Sequence, residues 1–138
     1  MNPTIERSRV LLSTSYADTL SGYGDVVDLG DSNPYRSVIF YIAVGVFPDS
    51  SHSGKFTFAF QDSSLGVAFG AVSASNLIGT TPILVDSADG SQVYSVEYLR
   101  QKRWVRPKWT VLGGPTVNTA APFNIVAVKQ NPKYSPVR

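Results

Sequence analysis

The chain has 138 residues, no cysteine and a formal net charge of +2. That length suits one domain able to bury a core without staples. The missing cysteines exclude disulfides, thiolate metal sites and a cysteine nucleophile. Only 16% of residues are charged, while Gly, Ser and aromatics are plentiful, a balance that fits a β-rich domain with sizeable uncharged surface.

From the first residue, "MNPTIERSRVLL" is polar and has no long apolar stretch, so no signal peptide is expected. The longest apolar run, Val38 to Phe47, is about half of the roughly 20 residues a membrane-spanning helix needs. A soluble product of a cytoplasm is expected. No segment carries a 3.6-residue apolar stripe. Runs rich in Val, Ile, Phe and Tyr alternate or are continuous, and Gly, Pro, Asn, Asp and Ser punctuate them. Strands are predicted near 8–14, 25–29, 36–47, 55–61, 66–73, 82–86, 92–99, 103–112 and 122–129. Eight or nine short strands at this spacing indicate a single-domain, all-β sandwich or barrel.

"SVIFYIAVGV" (Ser37–Val46) is apolar on both faces, so it should be a central strand covered on its second side by a neighbour, a loop or another subunit. "GKFTFAFQDSS" alternates: Phe56, Phe58 and Phe60 share the face expected to be core, with Thr57 and Ala59 opposite. Residues 50–54, with His52, should be the loop joining these two strands. "DSADGSQ" (Asp86–Gln92) carries Asp-Gly and reads as a hairpin turn. The ends differ. "MNPTIERSR" and the proline-containing "KQNPKYSPVR" resist joining a sheet, so arm-like ends are predicted at about 1–8 and 130–138, either frayed or reaching onto a neighbour.

Little in the chain resembles a catalytic or metal site. The only histidine, His52, lies in a turn-like loop, and there is no Gly-x-Ser-x-Gly elbow. Asp25 and Asp28 point to opposite faces of an extended strand, and the spacing of Asp25, Asp28 and Asp31 does not match a calcium loop. "DSADGSQVYSVE" has Ala88 where a calcium ligand is required. No phosphate-cradling loop is present. No catalytic residue, metal or cofactor is therefore assigned.

Charge is distributed unevenly. Residues 1–97 hold four cations against ten acids, net −6, and residues 98–138 hold eight cations and no acid. This split fits an anionic partner, or copies of the protein that meet acid to base. Five cations and both tryptophans fall within "YLRQKRWVRPKWTV" (Tyr98–Val111). As a strand it sets Trp104, Arg106, Lys108 and Thr110 on one face, and Arg103, Val105, Pro107, Trp109 and Val111 on the other. The second set is mostly apolar and should face the core. Pro107 argues for an edge strand or a bulge. Four readings compete for the outer face: a solvated cationic surface with Trp104 half covered by Arg and Lys stems, a protein interface anchored by Trp104 or Trp109, a single-strand nucleic-acid grip, and a membrane patch.

The order of segments resembles the small capsid cement (decoration) proteins of tailed bacteriophages. An early "GDVVDLG" is followed by "SVIFYIAVGV", then "SGKFTFAFQDSS", then "RWVRPKWTVLGG", and last "PFNIVAVKQNP". The resemblance spans roughly residues 23–132. Pro107 and Trp109 depart from the regular strand that members have at this place. The resemblance implies a jelly-roll-like sandwich, no enzymatic activity, and a place in the virion on the outer surface of the capsid, after synthesis in the bacterial cytoplasm. It also implies two partners, the major capsid protein and further copies of the chain as a dimer or trimer, with no membrane or direct nucleic-acid contact. Interface candidates are Arg103, Trp104, Arg106, Lys108, Trp109 and Tyr134. A carbohydrate-binding module or tail-fibre component, and a nucleic-acid-binding module, are the alternatives.

Overall fold

In the computed structural model the Val-, Ile- and Phe-rich segments form antiparallel strands; the structure describes residues 9–16, 22–30, 35–45, 55–79, 81–86, 92–112 and 123–132. In chain order the strands are β1 (Arg9–Tyr16), β2 (Gly22–Tyr23), β3 (Val27–Asp28), β4 (Tyr35–Val44), β5 (Lys55–Ser63), β6 (Gly70–Ala71), β7 (Leu77–Ile78), β8 (Ile83–Asp86), β9 (Gln92–Leu99), β10 (Trp104–Leu112) and β11 (Phe123–Pro132). One 3-10 turn, Ala74–Asn76, precedes β7.

Two sheets result. The first runs β1-β11-β4-β9-β7 and the second β2-β10-β5-β6, with β3 beside β2 along β10 and β8 beside β6 along β5. With each split edge taken as one lane, the order is β1-β11-β4-β9 facing (β2, β3)-β10-β5-(β6, β8). This is the strand path of a jelly roll, and from β4 onward consecutive long strands alternate between the sheets. The all-β sandwich expected from the sequence is thus the fold observed.

The alternation of each strand determines what enters the core. From β4, Val38, Phe40, Ile42 and Val44 point inward, and Phe58 and Phe60 meet them from β5. Phe40 packs on Phe60 at 4.8 Å between ring centroids, and Phe123 receives the edges of Phe58 and Trp109 at 5.0 and 5.1 Å. Spacings of this kind are those preferred by aromatic pairs. The side chain of Phe56 lies outside the described residues. As predicted, β4 is central, in unbroken register with β11 on one side and β9 on the other. On its outer side Ile39 and Ala43 are partly buried and Tyr41 is exposed.

Pro107 neither makes β10 an edge nor introduces a bulge. β10 pairs with β5 without a register shift from Trp104 to Leu112. The carbonyl of Pro107 accepts the N–H of Gly24, 2.9 Å away, on the opposite side of the strand. In a strand a residue's nitrogen and carbonyl point to the same side, so the donor that proline lacks falls on this second side. That is the gap between β2 and β3, where no ladder bond is needed. Gly24 permits the close approach, since a Cβ there would stand 2.5 Å from Cγ of Pro107.

Three further expectations are corrected. Residues 66–73 do not form one continuous strand: 66–68 bend, Gly70–Ala71 pair with β5, and the Val72 N–H donates to the Phe60 carbonyl at 3.1 Å. The strands flanking the predicted hairpin turn do not pair with each other, because β8 pairs with β5 in one sheet and β9 with β4 in the other; residues 87–91 themselves lie outside the described residues. The segment from 130 is not wholly an arm, because β11 continues to Pro132, which pairs with Tyr35. The predicted arm at 1–8 and the rest of the C-terminal one lie outside the described residues, as do Asp31, His52 and Tyr134.

Candidate docking surface

The basic segment divides at Trp104. Its first part, Arg100 to Arg103, crosses from β9 to β10 over one end of the sandwich. Tyr98 ends the buried row of β9, and its hydroxyl organises this crossing. It accepts the N–H groups of Gln101 and Lys102 at 3.1 and 3.0 Å and donates to Oδ2 of Asp62 at 2.9 Å. Lys102 sets its ammonium 3.3 Å from the other oxygen of Asp62. Burial pushes the Tyr98 hydroxyl pKa above its ordinary value, with the bond to Asp62 acting in the same direction and the two backbone donors opposing it.

Arg100 reaches the chain between β3 and β4. Its Nη1 donates to the carbonyls of Leu29 and Tyr35 and its Nη2 to that of Gly30, at 2.8, 3.4 and 2.8 Å. Arg103 forms a fork with Asp28, Nε to Oδ1 at 2.7 Å and Nη2 to Oδ2 at 3.0 Å. Hydrogen bonding from Arg103, reinforced by the N–H of Gly30, holds the Asp28 carboxyl below its ordinary pKa against the opposing effect of desolvation. These three cations therefore satisfy the chain's own acceptors, and Arg103 is an internal tie as well as an interface candidate.

The second part lies on the outer face of the second sheet. Trp104, Arg106 and Lys108 alternate outward, while Val105, Pro107 and Trp109 are buried, as the alternation predicted. Trp109 is 3% exposed and packs on Phe123, so it belongs to the core and is withdrawn as a surface anchor. Trp104 is half-buried. The guanidinium of Arg103 lies 4.6 Å from its ring centroid, and Gly66 lies against the ring, where a Cβ would be 3.2 Å away. The loop carrying Gly66 is held by Ser63, whose hydroxyl accepts the N–H groups of Leu65 and Gly66 at 3.3 and 2.9 Å. Gly66 has φ +78°, a left-handed conformation that a side chain disfavours. The pinned loop presents Leu65 and Val67, 80% and 82% exposed.

Arg106 is the best-defined group on this face. Its Nε and Nη2 both donate to Oε1 of Gln61, its cross-strand neighbour, at 3.1 and 3.0 Å. The ring of Tyr23, from the β2 lane, lies 3.8 Å from its Cζ, and that of Phe69, beside β6, lies 4.1 Å away. Stacking of this kind suits the planar, weakly hydrated guanidinium. Lys108, in register with Tyr23, is half-buried and has no side-chain partner among the described residues.

Sequence reasoning missed Tyr23, Gln61, Leu65, Val67 and Phe69. The alternation of Leu65, Val67 and Phe69 reads as a strand, and only Gly66 between them signals a loop. The pairing of Gln61 with Arg106 depends on long-range strand pairing within the second sheet, which local pattern does not carry. Among the described residues no group of three or more His, Asp or Glu side chains is placed to hold a metal ion, and no helix is long and apolar enough to cross a membrane. No protein-family model matches the chain, and no curated protein matches it significantly.

Proposed function

We propose that the protein is a virion structural component, a capsid cement protein that adds to the outside of a tailed-phage head and ties neighbouring major capsid proteins together. The observation that carries this reading is the outer face of the second sheet. There, two nearly fully exposed aliphatic side chains, Leu65 and Val67, are held on a loop pinned by Ser63 and seated on Trp104. The same face carries Arg106, held against the rings of Tyr23 and Phe69, and Lys108. Trp and Arg on a rigid base are what protein interface centres favour, and the two aliphatic side chains add apolar area that association would remove from water. The jelly-roll path is in keeping with this reading, because viral capsid domains use it, although lectins and cupins do so too. The partners in this reading are the major capsid protein and further copies of the chain.

The test is co-expression with the major capsid protein encoded in the same genome, followed by gradient sedimentation and light scattering on the free protein. The expected result is co-migration with assembled shells and a free protein that is a dimer or trimer. A rigid monomer that stays out of the shell fraction overturns the reading. Quenching of tryptophan fluorescence by sugars in place of shell binding would assign the face to carbohydrate. A gel shift of DNA that collapses with salt would assign it to nucleic acid.

A further inference from the structure

We infer that the outer face of the second sheet is a carboxylate-reading site, and that the partner segment it takes is an Asp or Glu side chain flanked by apolar residues on another protein. The inference deepens the proposed docking function and rests on that reading for the identity of the partner. It begins with the geometry of Arg106. A guanidinium has two faces and two hydrogen-bonding edges. Gln61 occupies the edge formed by Nε and Nη2. Tyr23 and Phe69, which come from lanes on either side of β10 and β5, take the faces. The remaining edge, formed by Nη1 and the second hydrogen of Nη2, has no partner among the described residues. Arg106 is thus immobilised and partly desolvated, with a two-pronged donor still available. The planar acceptor that matches this fork is a carboxylate or a phosphate.

The aliphatic surface on the same face selects between them. Lys108, two residues along the same face, adds a single positive charge. Leu65 and Val67 add aliphatic surface. A phosphate backbone gains nothing from two exposed aliphatic side chains, whereas a protein segment with apolar residues around one acid is complemented in both charge and surface. Fixing the fork before binding also lowers the ordering cost that a free arginine would incur on association.

The full-length protein, labelled with 15N, is titrated with acetyl-Leu-Glu-Leu-amide, with the corresponding Gln peptide and inorganic phosphate as controls. The reporters are the Arg106 Nε–H and Trp104 indole resonances. The expected result is a saturable shift of both signals by the Glu peptide, with the Gln peptide and phosphate roughly tenfold weaker or more. Arg106→Lys keeps the charge but lacks the fork, and should weaken the Glu peptide by a similar factor. Equal shifts from the Glu and Gln peptides, tighter binding of phosphate, no saturable shift, or wild-type binding by a folded Arg106→Lys variant each overturn the inference. Should that substitution disturb the near-UV circular dichroism spectrum, the wild-type comparison decides alone. Shell binding that Arg106→Lys leaves unchanged overturns this inference and spares the virion reading. Peptide binding by a protein that ignores shells does the reverse.

Discussion

The two parts of the basic segment are both rich in cations and have opposite uses. Between Arg100 and Arg103 every cation faces an acceptor from its own chain: three backbone carbonyls, the carboxylate of Asp62 and that of Asp28. Between Trp104 and Lys108 one cation is held by a neutral amide and two rings, and the other has no partner among the described residues. The difference comes from backbone geometry. A crossing between sheets bends the chain over the open end of a sandwich, where carbonyls and acids at the ends of other strands and in the turns beside them need donors. A strand in mid-sheet has its backbone bonds satisfied already, so its outward side chains are left for other contacts. A run of positive charge is therefore not one feature, and its two parts should respond differently to mutation.

The sharpest way to break the crossing is Tyr98→Phe. It removes the acceptor of two N–H groups and one donor to Asp62 at a site with no exposure. The expected loss is about 2–3 kcal/mol of unfolding free energy, measured by urea denaturation. The same variant should alter the alkaline limb. A hydroxyl whose folded pKa lies above its unfolded value of 10.0 contributes stability below that pH and loses it as pH rises through the folded value. The wild type should therefore weaken above about pH 10, and Tyr98→Phe should weaken less steeply there. A variant as stable as the wild type would show that the hydroxyl network does not hold the crossing.

Much of the fold could be read from alternation alone. The inward row of β4, the buried Phe58 and Phe60, and the division of β10 into outward Trp104 and inward Trp109 all follow from a period of two. The pairing did not follow, because it depends on which sheet each strand enters. Asp-Gly in 86–92 has the chemistry of a hairpin turn, yet β8 and β9 belong to different sheets. The candidate site was only partly legible for the same reason. Arg106 and Lys108 could be named from their spacing. Tyr23, Gln61 and Phe69, which give Arg106 its surroundings, come from three other strands or loops. Arg103 looked like a surface charge because its acid, Asp28, is 75 residues distant in the chain.

On the face, the largest stability effect should come from Gly66→Ala. The substitution places a Cβ at φ +78° and 3.2 Å from the Trp104 ring. A loss of about 1–2 kcal/mol is expected. The indole N–H resonance of Trp104 should move while that of buried Trp109 stays. If both move, or neither does, the loop is not seated on Trp104 as described.

Arg103→Ala should cost less, about 0.5–1 kcal/mol, because the pair it breaks is about one-third exposed on both sides. Its signature lies in acid. A carboxyl whose folded pKa is depressed contributes stability above the unfolded value of 3.8 and loses it as pH falls through the folded one. The variant should flatten the decline of wild-type stability below that value, and an unchanged acid limb would assign the decline to other carboxylates.

The smallest stability change belongs to Lys108→Glu, and its smallness is what makes the substitution informative. Lys108 is half-buried on the outer face without a side-chain partner among the described residues, so its reversal should shift unfolding by no more than about 0.5 kcal/mol. Binding is another matter. The new acid would stand two residues from Arg106 and compete with any incoming carboxylate for its fork, while repelling that carboxylate directly. Association with shells should weaken, and the loss should shrink as salt is raised, because partly exposed charges are screened. Pairing Lys108→Glu with Arg106→Lys in a double-mutant cycle distinguishes a shared ligand from two independent contacts: one acid read by both cations gives a coupling well beyond the additive sum, and separate contacts give none. A Lys108→Glu protein that unfolds would instead make this side chain part of the sheet's own packing, and the contrast between the two halves of the segment would disappear.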